Sequence, residues 1–342
     1  MTGADDRLRR LLFQSFRVGK VKMDVLEALL AACITAVGFA LRTAFPDSGV
    51  PGWEMLLAEW YLAVSCGILT FRLTGNGRRG LFVYGILMIL PTVIMDGTIM
   101  GGSSCVGALL CVSALLLLES GHVWCFTAVS AALLLWDVRY AGLFAACAVL
   151  WQWRRIRSEQ FLILLAAAAA RFVYSYRIWL GADYTLTTFH WPNIYEIVGR
   201  EAMQGQLFDP VATVGLFVAV GLLLLGMWAL AQGESFGRPG RAELELLLFF
   251  GLAAGYFLPY MDQTYGYLFC ALAVVWAAAD LRCFPAPALL QIAAFAGYQE
   301  CVNGESMMPM WVFSVLQLLI LTGLAVRLLK EAKVVDLCAR KN

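Results

Sequence analysis

Apolar residues fill this chain in runs of about 13 to 22, separated by short polar breaks. The runs cover 24–45, 55–71, 80–95, 104–118, 122–136, 140–153, 160–177, 211–231, 244–259, 264–281, 287–299 and 308–329. An apolar helix of roughly 20 residues spans a bilayer. The pattern therefore predicts an all-α, polytopic transmembrane bundle of about twelve spans, within a range of about 10–13. Several middle runs are short and end in Gly, Asp or Trp. Lipid cannot satisfy open helix ends, so these short helices are expected to be packed inside the bundle.

The breaks carry a second pattern. Bases gather at every other one: Arg7 to Lys22, Arg72 to Arg79, Arg154 to Arg157, Arg238 with Arg241, Arg282, and Arg327 to Lys341. These hold 20 of the 25 Lys and Arg. Arg42, Arg139, Arg171, Arg177 and Arg200 are the bases of the remaining breaks. Cytoplasmic loops retain Lys and Arg, so the basic side is the predicted inside and both termini are expected there. Asp47, Asp96, Asp137, His190, Asn193, Glu196, Asp262 and Glu300 then share the non-cytoplasmic side. The expected organisation is a basic cytoplasmic segment over 1–23, one transmembrane domain over 24–329 and a cytoplasmic tail over 330–342. Outer loops are expected near 46–54, 178–210 and 299–309, the last two long enough to be functional. The first apolar run reads as a retained anchor rather than a cleaved signal, since no small-residue cleavage site follows it. Leu8–Phe16 reads either as a short amphipathic helix on the inner leaflet or as a solvated tail.

Composition sharpens the class. Hydrophobic residues make up 61% and charged residues 14%, whereas a soluble domain carries about 25% charge. A water-soluble protein is excluded. The net charge of +1 gives no electrostatic footprint for nucleic acid. The ten cysteines include no C-x-x-C pair and read as small hydrophobes rather than as a metal or redox site.

Candidate chemistry lies at the outer breaks. Tyr256–Phe269, YFLPYMDQTYGYLF, sets Asp262, Gln263, Thr264 and Tyr265 in a tight turn between two apolar runs. A carboxylate there is costly unless solvated, paired or used. On physical grounds alone a simple polar hairpin tip is the favoured reading. Phe189–Gly199, FHWPNIYEIVG, mixes His190, Asn193, Tyr195 and Glu196 with aromatics. Those aromatics suit either sugar stacking or an interfacial belt. Asp47 lies in AFPDSGVPGW, either as a general base or as a turn residue bonding its own backbone.

These stretches carry a family likeness. Pro259, Met261, Tyr265 and Tyr267 keep the frame of P-x-M-H-E-R-Y-x-Y, a late motif of bacterial multi-span GT-C glycosyltransferases. Asp262, Gln263 and Thr264 replace its His-Glu-Arg. Pro192, Asn193, Tyr195 and Gly199 fit the family's P-N-aromatic loop, with His190 and Trp191 in place of Asn-Ala. Pro91–Gly101 resembles a third motif, with Asp96 in an Asn position and Met100 in a Trp position. Arg139, in Trp136–Tyr140, stands near the family's cation. Asp47 is the available first-loop acid, shifted by three positions from the family's S-G-D-Y.

The resemblance implies a GT-C-like enzyme of the plasma membrane with an extracytoplasmic active face. It would move a sugar from a polyprenyl-phosphate donor to a glycan or protein acceptor. Asp47 and Asp262 would be its catalytic acids. Arg42, Asp96, Arg139, His190, Asn193, Tyr195, Glu196, Gln263 and Tyr265 would bind substrate. Two of the acids could hold a divalent cation, although their spacing does not require a metal. Two alternatives stay open: an inactive GT-C-like scaffold that binds a lipid-linked glycan, and a secondary transporter or flippase.

Overall fold

The structure is a computed structural model that describes residues 11–18, 21–44, 52–181, 186–199, 210–233 and 240–333. Of residues 17, 18, 21, 22 and 176–181 it describes the backbone alone. A two-stranded antiparallel hairpin comes first, β1 (Ser15–Val18) on β2 (Val21–Asp24), with Ser15 opposite Asp24. The predicted helix over Leu8–Phe16 is shortened here: Leu11 and Leu12 are helical, Ser15 and Phe16 are in the strand, and residues 8–10 lie outside the described ones. The alternation of Phe16, Val18, Val21 and Met23 has the period of two that a ribbon uses.

Among the described residues the elements after the hairpin are helices, apart from isolated bridges of Phe189 and His190 with Asp262. The helices are α1 (Val25–Thr43), α2 (Trp53–Thr74), α3 (Gly77–Ile89), α4 (Pro91–Ile94), α5 (Ser104–Glu119), α6 (Val123–Trp136) and α7 (Ala141–Gln152). They continue as α8 (Ser158–Gly181), α9 (Tyr195–Val198), α10 (Pro210–Ala231), α11 (Arg241–Phe257), α12 (Gly266–Ala279), α13 (Pro285–Asn303) and α14 (Met310–Glu331). Each apolar run of the sequence is a helix, with ends shifted by a few residues. The long outer loops are shorter than expected, since α8 reaches Gly181 and α13 reaches Asn303.

Local chemistry fixes several ends. Asn76 caps α3, its side chain accepting from the backbone N–H of Arg78 at 3.0 Å. Gly75 ends α2 in the left-handed region, at φ 67°. Pro91 cannot continue α3, so the chain bends by 44° into α4 and a π-turn over Met95–Ile99.

Among the described residues four helices are long and apolar enough to cross a membrane: α1, α2, α10 and α14. The bent pair from Gly77 to Ile99 makes a fifth if counted as one. Only 11% of the apolar window of α10 is covered by protein, and Phe217 is 73% exposed. An apolar surface of that extent is matched to lipid rather than water. The molecule is an all-α bundle with the surface of a membrane protein.

The shorter α12 takes the opposite place. From Gly266 to Ala278 every residue is buried, making it the central helix. Small residues bring neighbours close around it. A Cβ on Gly80 of α3 would lie 2.6 Å from the carbonyl oxygen of Gly67 in α2. Gly142 of α7 meets the backbone of Gly251 in α11 in the same way. Such small-residue contacts are how apolar helices approach without a hydrophobic driving force.

The ion pairs fall into two sets at opposite ends of the bundle. At the arginine-rich end Arg72 pairs with Glu119 at 2.7 Å, Arg78 with Glu27 at 3.2 Å and Arg155 with Glu243 at 2.7 Å. Asp280 there takes Arg241 at 2.6 Å and Arg327 at 2.9 Å. At the other end Arg42 pairs with Glu59, Arg139 with Asp137 and Asp262, and His190 with Glu300. The alternation read from the loops is thus the alternation of the helix ends in space.

Candidate functional site

Two segments far apart in sequence clasp each other at the end away from the arginine-rich loops. Tyr260 N–H donates to the Thr187 carbonyl at 2.8 Å, Phe189 N–H to Met261 at 2.9 Å, and Ile194 N–H to Tyr256 at 3.1 Å. His190 and Tyr260 both take positive φ, 61° and 62°, to make this crossing. Trp191 is fully buried between Gly266 and Tyr265, its ring 5.8 Å from the tyrosine ring. Gly297 of α13 lies against the His190 carbonyl where a Cβ would collide.

The clasp presents the turn at Asp262. Its Oδ1 accepts from Thr264 N–H at 3.0 Å and from the Thr264 hydroxyl at 2.5 Å, capping a 3-10 turn over Gln263–Tyr265. Arg139 reaches the same turn from the loop between α6 and α7. Its Nη1 lies 3.8 Å from Asp262 Oδ1 and donates to the Thr264 hydroxyl, while Nη2 sits 2.6 Å from Asp137 Oδ2. Burial works against the Arg139 charge. The hydrogen bond and charge of Asp137, with that of Asp262, outweigh it and hold the guanidinium above its ordinary pKa. Arg139 is a permanent cation, one-third exposed in its side chain, with Asp262 beside it at 43%.

A narrow cleft of about 40 Å³ opens here, lined by Ser104, Asp137, Arg139, Thr264, Tyr265 and Tyr267, among others. Below it is a buried polar layer. Asp96, in the π-turn, accepts from Ser104 Oγ and Tyr298 OH, each at 3.1 Å. Its second oxygen, Oδ2, has no partner among the described residues, and neither has the buried Tyr267 hydroxyl. Gly102 gives the Asp96 carboxylate its room, since a Cβ there would stand 2.7 Å from Oδ2. Glu59 rests on Gly97, the residue after Asp96. Arg42 Nε donates to Glu59 Oε2 at 2.5 Å, and Arg42 Nη1 to the Gly38 and Met88 carbonyls at 2.9 and 2.8 Å.

The residues singled out from sequence therefore separate into groups. Arg139, Asp262 and Gln263 meet at the turn, where Gln263 Nε2 lies 3.9 Å from Met100 Sδ. His190 joins them through its backbone, which bridges to Asp262, and its Nδ1 is 3.3 Å from Glu300 Oε2. Asp96 lies under the cleft, linked to it by Ser104. Arg42 is 2% exposed and locked to Glu59, away from the cleft walls. Asn193, Tyr195 and Tyr265 are buried and bonded to backbone groups, Tyr265 with its ring at the cleft wall. Asn193 Oδ1 accepts from Tyr195 N–H at 3.1 Å and its carbonyl from Ser314 Oγ at 2.5 Å. The Tyr195 and Tyr265 hydroxyls donate to the Phe257 and Gly251 carbonyls, at 3.0 and 2.8 Å. Glu196 is half-buried on α9. Asp47 lies outside the described residues.

Glu59, Tyr298 and Thr264 were not singled out as site residues. Glu59 had a signal, a carboxylate inside the apolar run LLAEWYLAV, where an ionisable group is expensive. Tyr298 had none, because its partner is 202 positions away. Among the described residues no three His, Cys, Asp or Glu side chains come together in a way that could hold a metal ion. No protein-family model, curated protein or solved structure matches the chain.

Proposed function

We propose that this chain is a multi-pass glycosyltransferase-like enzyme of the plasma membrane. It has about twelve membrane helices, both termini in the cytoplasm and its active face outside. The short helices pass through the membrane as members of the bundle, around α12. The donor is a sugar on a polyprenyl phosphate, and the acceptor is a glycan or protein hydroxyl. The single observation that carries this reading is the Arg139–Asp262 turn, clasped by the 186–199 segment at the end away from the arginine-rich loops. A fixed cation at a membrane surface is what a lipid phosphate needs, through charge-assisted hydrogen bonds.

In the proposed reaction the acceptor oxygen attacks the anomeric carbon of the donor. The bond from that carbon to the phosphate oxygen breaks, and its electron pair leaves with the polyprenyl phosphate. Arg139 offsets the charge gained there. The attacking oxygen approaches from the far side of the sugar, whereas Asp262 is only 3.8 Å from Arg139. Asp262 therefore keeps Arg139 aimed, and the acceptor's proton passes to the first-loop acid, Asp47. His190 and Gln263 flank the sugar.

Purified protein supplied with a labelled polyprenyl-phosphate sugar should transfer the label, and Asp47→Asn and Arg139→Gln should each abolish transfer. Absence of turnover across a range of donors, with binding of lipid-linked glycan retained, would leave the inactive scaffold. A transporter is the second reading. The buried Arg42–Glu59 pair and Asp96 in a bent helix favour it, because transporters place ionisable groups at broken helices. Uptake into proteoliposomes without covalent transfer would select it.

A further inference from the structure

At the arginine-rich end a polar cleft of about 450 Å³ opens at the junction of α3, α11 and the turn after α12. Its walls are Arg79, Arg241, Ala279, Asp280, Leu281 and Arg282, three guanidinium groups against one carboxylate. Nothing in the proposed transferase uses it. We infer that this cleft binds the phosphate of an anionic membrane lipid, and so fixes the bundle to the leaflet on its basic side.

Two of the three arginines are held by hydrogen bonds. Arg79 Nη1 donates to the Ala278 carbonyl at 3.1 Å, at the open end of the central helix. Arg241 donates from Nε to Glu245 at 3.0 Å and from Nη2 to Asp280 at 2.6 Å. Asp280 also caps the turn, its Oδ1 accepting from Arg282 N–H at 3.1 Å. The Arg282 side chain has no hydrogen bond or ion pair among the described residues. A cleft with two braced cations, a third that makes no pair among the described residues and an excess of positive charge is completed by an anion with several acceptor oxygens.

The surroundings point to a lipid as the source of that anion. Leu281 lines the cleft and Phe284 lies two residues beyond Arg282; they are 62% and 55% exposed, apolar groups placed to enter an acyl layer. Basic residues near an anionic leaflet each add about 1 kcal/mol of attraction, which corresponds to about fivefold in binding. A soluble phosphate would gain nothing from the apolar rim.

This inference rests on the membrane reading and not on the transferase reading. Its test follows thermal unfolding of the full-length protein in detergent with phosphatidylglycerol, phosphatidylcholine or inorganic phosphate added. Phosphatidylglycerol should raise the melting temperature more than phosphatidylcholine. Arg282→Gln, at an exposed position, and Arg79→Gln should each weaken the phosphatidylglycerol response by about fivefold. Arg78→Gln, on a side chain that lines a different groove, should leave it unchanged. A response equal in wild type and both cleft variants would overturn the site. So would an equal loss in Arg78→Gln, which would mark diffuse surface charge. An arginine-dependent response to inorganic phosphate with none to phosphatidylglycerol would overturn the lipid assignment. Loss of sugar transfer in the Asp47 variant has no bearing on any of these outcomes.

Discussion

The guanidinium of Arg139 lies 3.8 Å from the carboxylate of Asp262, joining the loop after α6 to the turn before α12. A second carboxylate, Asp137, braces it from its own loop at 2.6 Å. The cation is thus aimed by two acids and shares Thr264 with one of them.

Replacing Arg139 tests whether that cation serves chemistry. Arg139→Gln removes a charge that stabilises the departing phosphate, which is worth about 10²-fold or more in kcat. Arg139→Lys keeps the charge but loses the planar fork, so it should recover only part of the rate. Sugar-transfer kinetics, with the melting temperature as a control for folding, measure both.

The Arg42–Glu59 pair makes a different prediction, about stability. Glu59→Ala leaves Arg42 charged and buried without its partner and should cost about 3–5 kcal/mol. The double variant Arg42→Met with Glu59→Leu removes both charges and should recover most of that loss. Chemical unfolding in detergent distinguishes the two. Equal destabilisation by the single and double variants would mean that packing, not pairing, sets the effect.

The helices of the bundle were legible in the local pattern of apolar residues, and the site only in part. The apolar runs became helices, and the alternation of Arg72, Arg155 and Arg241 with Arg42 and Arg139 became two layers of ion pairs. Both are properties of local composition, legible without knowledge of contacts between distant helices. Which outer residues face the cleft depends on contacts between distant helices. Asp96 read as a loop acid, yet a π-turn carries it inward to Tyr298. Asn193 read as a ligand, yet its side chain accepts from Tyr195 N–H just ahead of α9 and its carbonyl receives Ser314. Reading the sequence singled out 189–199 and 256–269, and the two stretches are neighbours in the structure. That reading could not tell which of their residues hold the two together.

Asn193 therefore gives a prediction about folding. Asn193→Ala removes the acceptor for Tyr195 N–H and should destabilise the protein by about 1 kcal/mol. Gly297→Ala, which sets a Cβ against the His190 carbonyl, should cost about 1–3 kcal/mol. Thermal unfolding of each variant checks these values. A neutral Gly297→Ala would mean that the 186–199 segment shifts freely.

The arginine-rich end carries a pH dependence. Burial opposes ionisation of Asp280, but hydrogen bonds from Arg241 and from Arg282 N–H, with the Arg241 charge, hold its pKa below the usual 3.8. A carboxylate depressed in the folded state contributes stability above its unfolded pKa and loses it as pH falls through the folded value. Asp280→Asn should thus lower the melting temperature by a constant amount at neutral pH. The gap to wild type should close only below pH 3.8. A gap that closes near neutrality would contradict the pairing.

The account as a whole depends on the two polar ends facing opposite sides of one membrane, with the Arg139–Asp262 turn outside. Glu305→Cys, in the exposed loop before α14, and Arg282→Cys, after α12, report the two sides. With the native cysteines as background, a membrane-impermeant maleimide applied to intact cells should label the position 305 cysteine and spare that at 282. The latter should label after permeabilisation. Labelling of position 282 in intact cells, with position 305 protected, would place the Arg139–Asp262 turn in the cytoplasm and contradict the account.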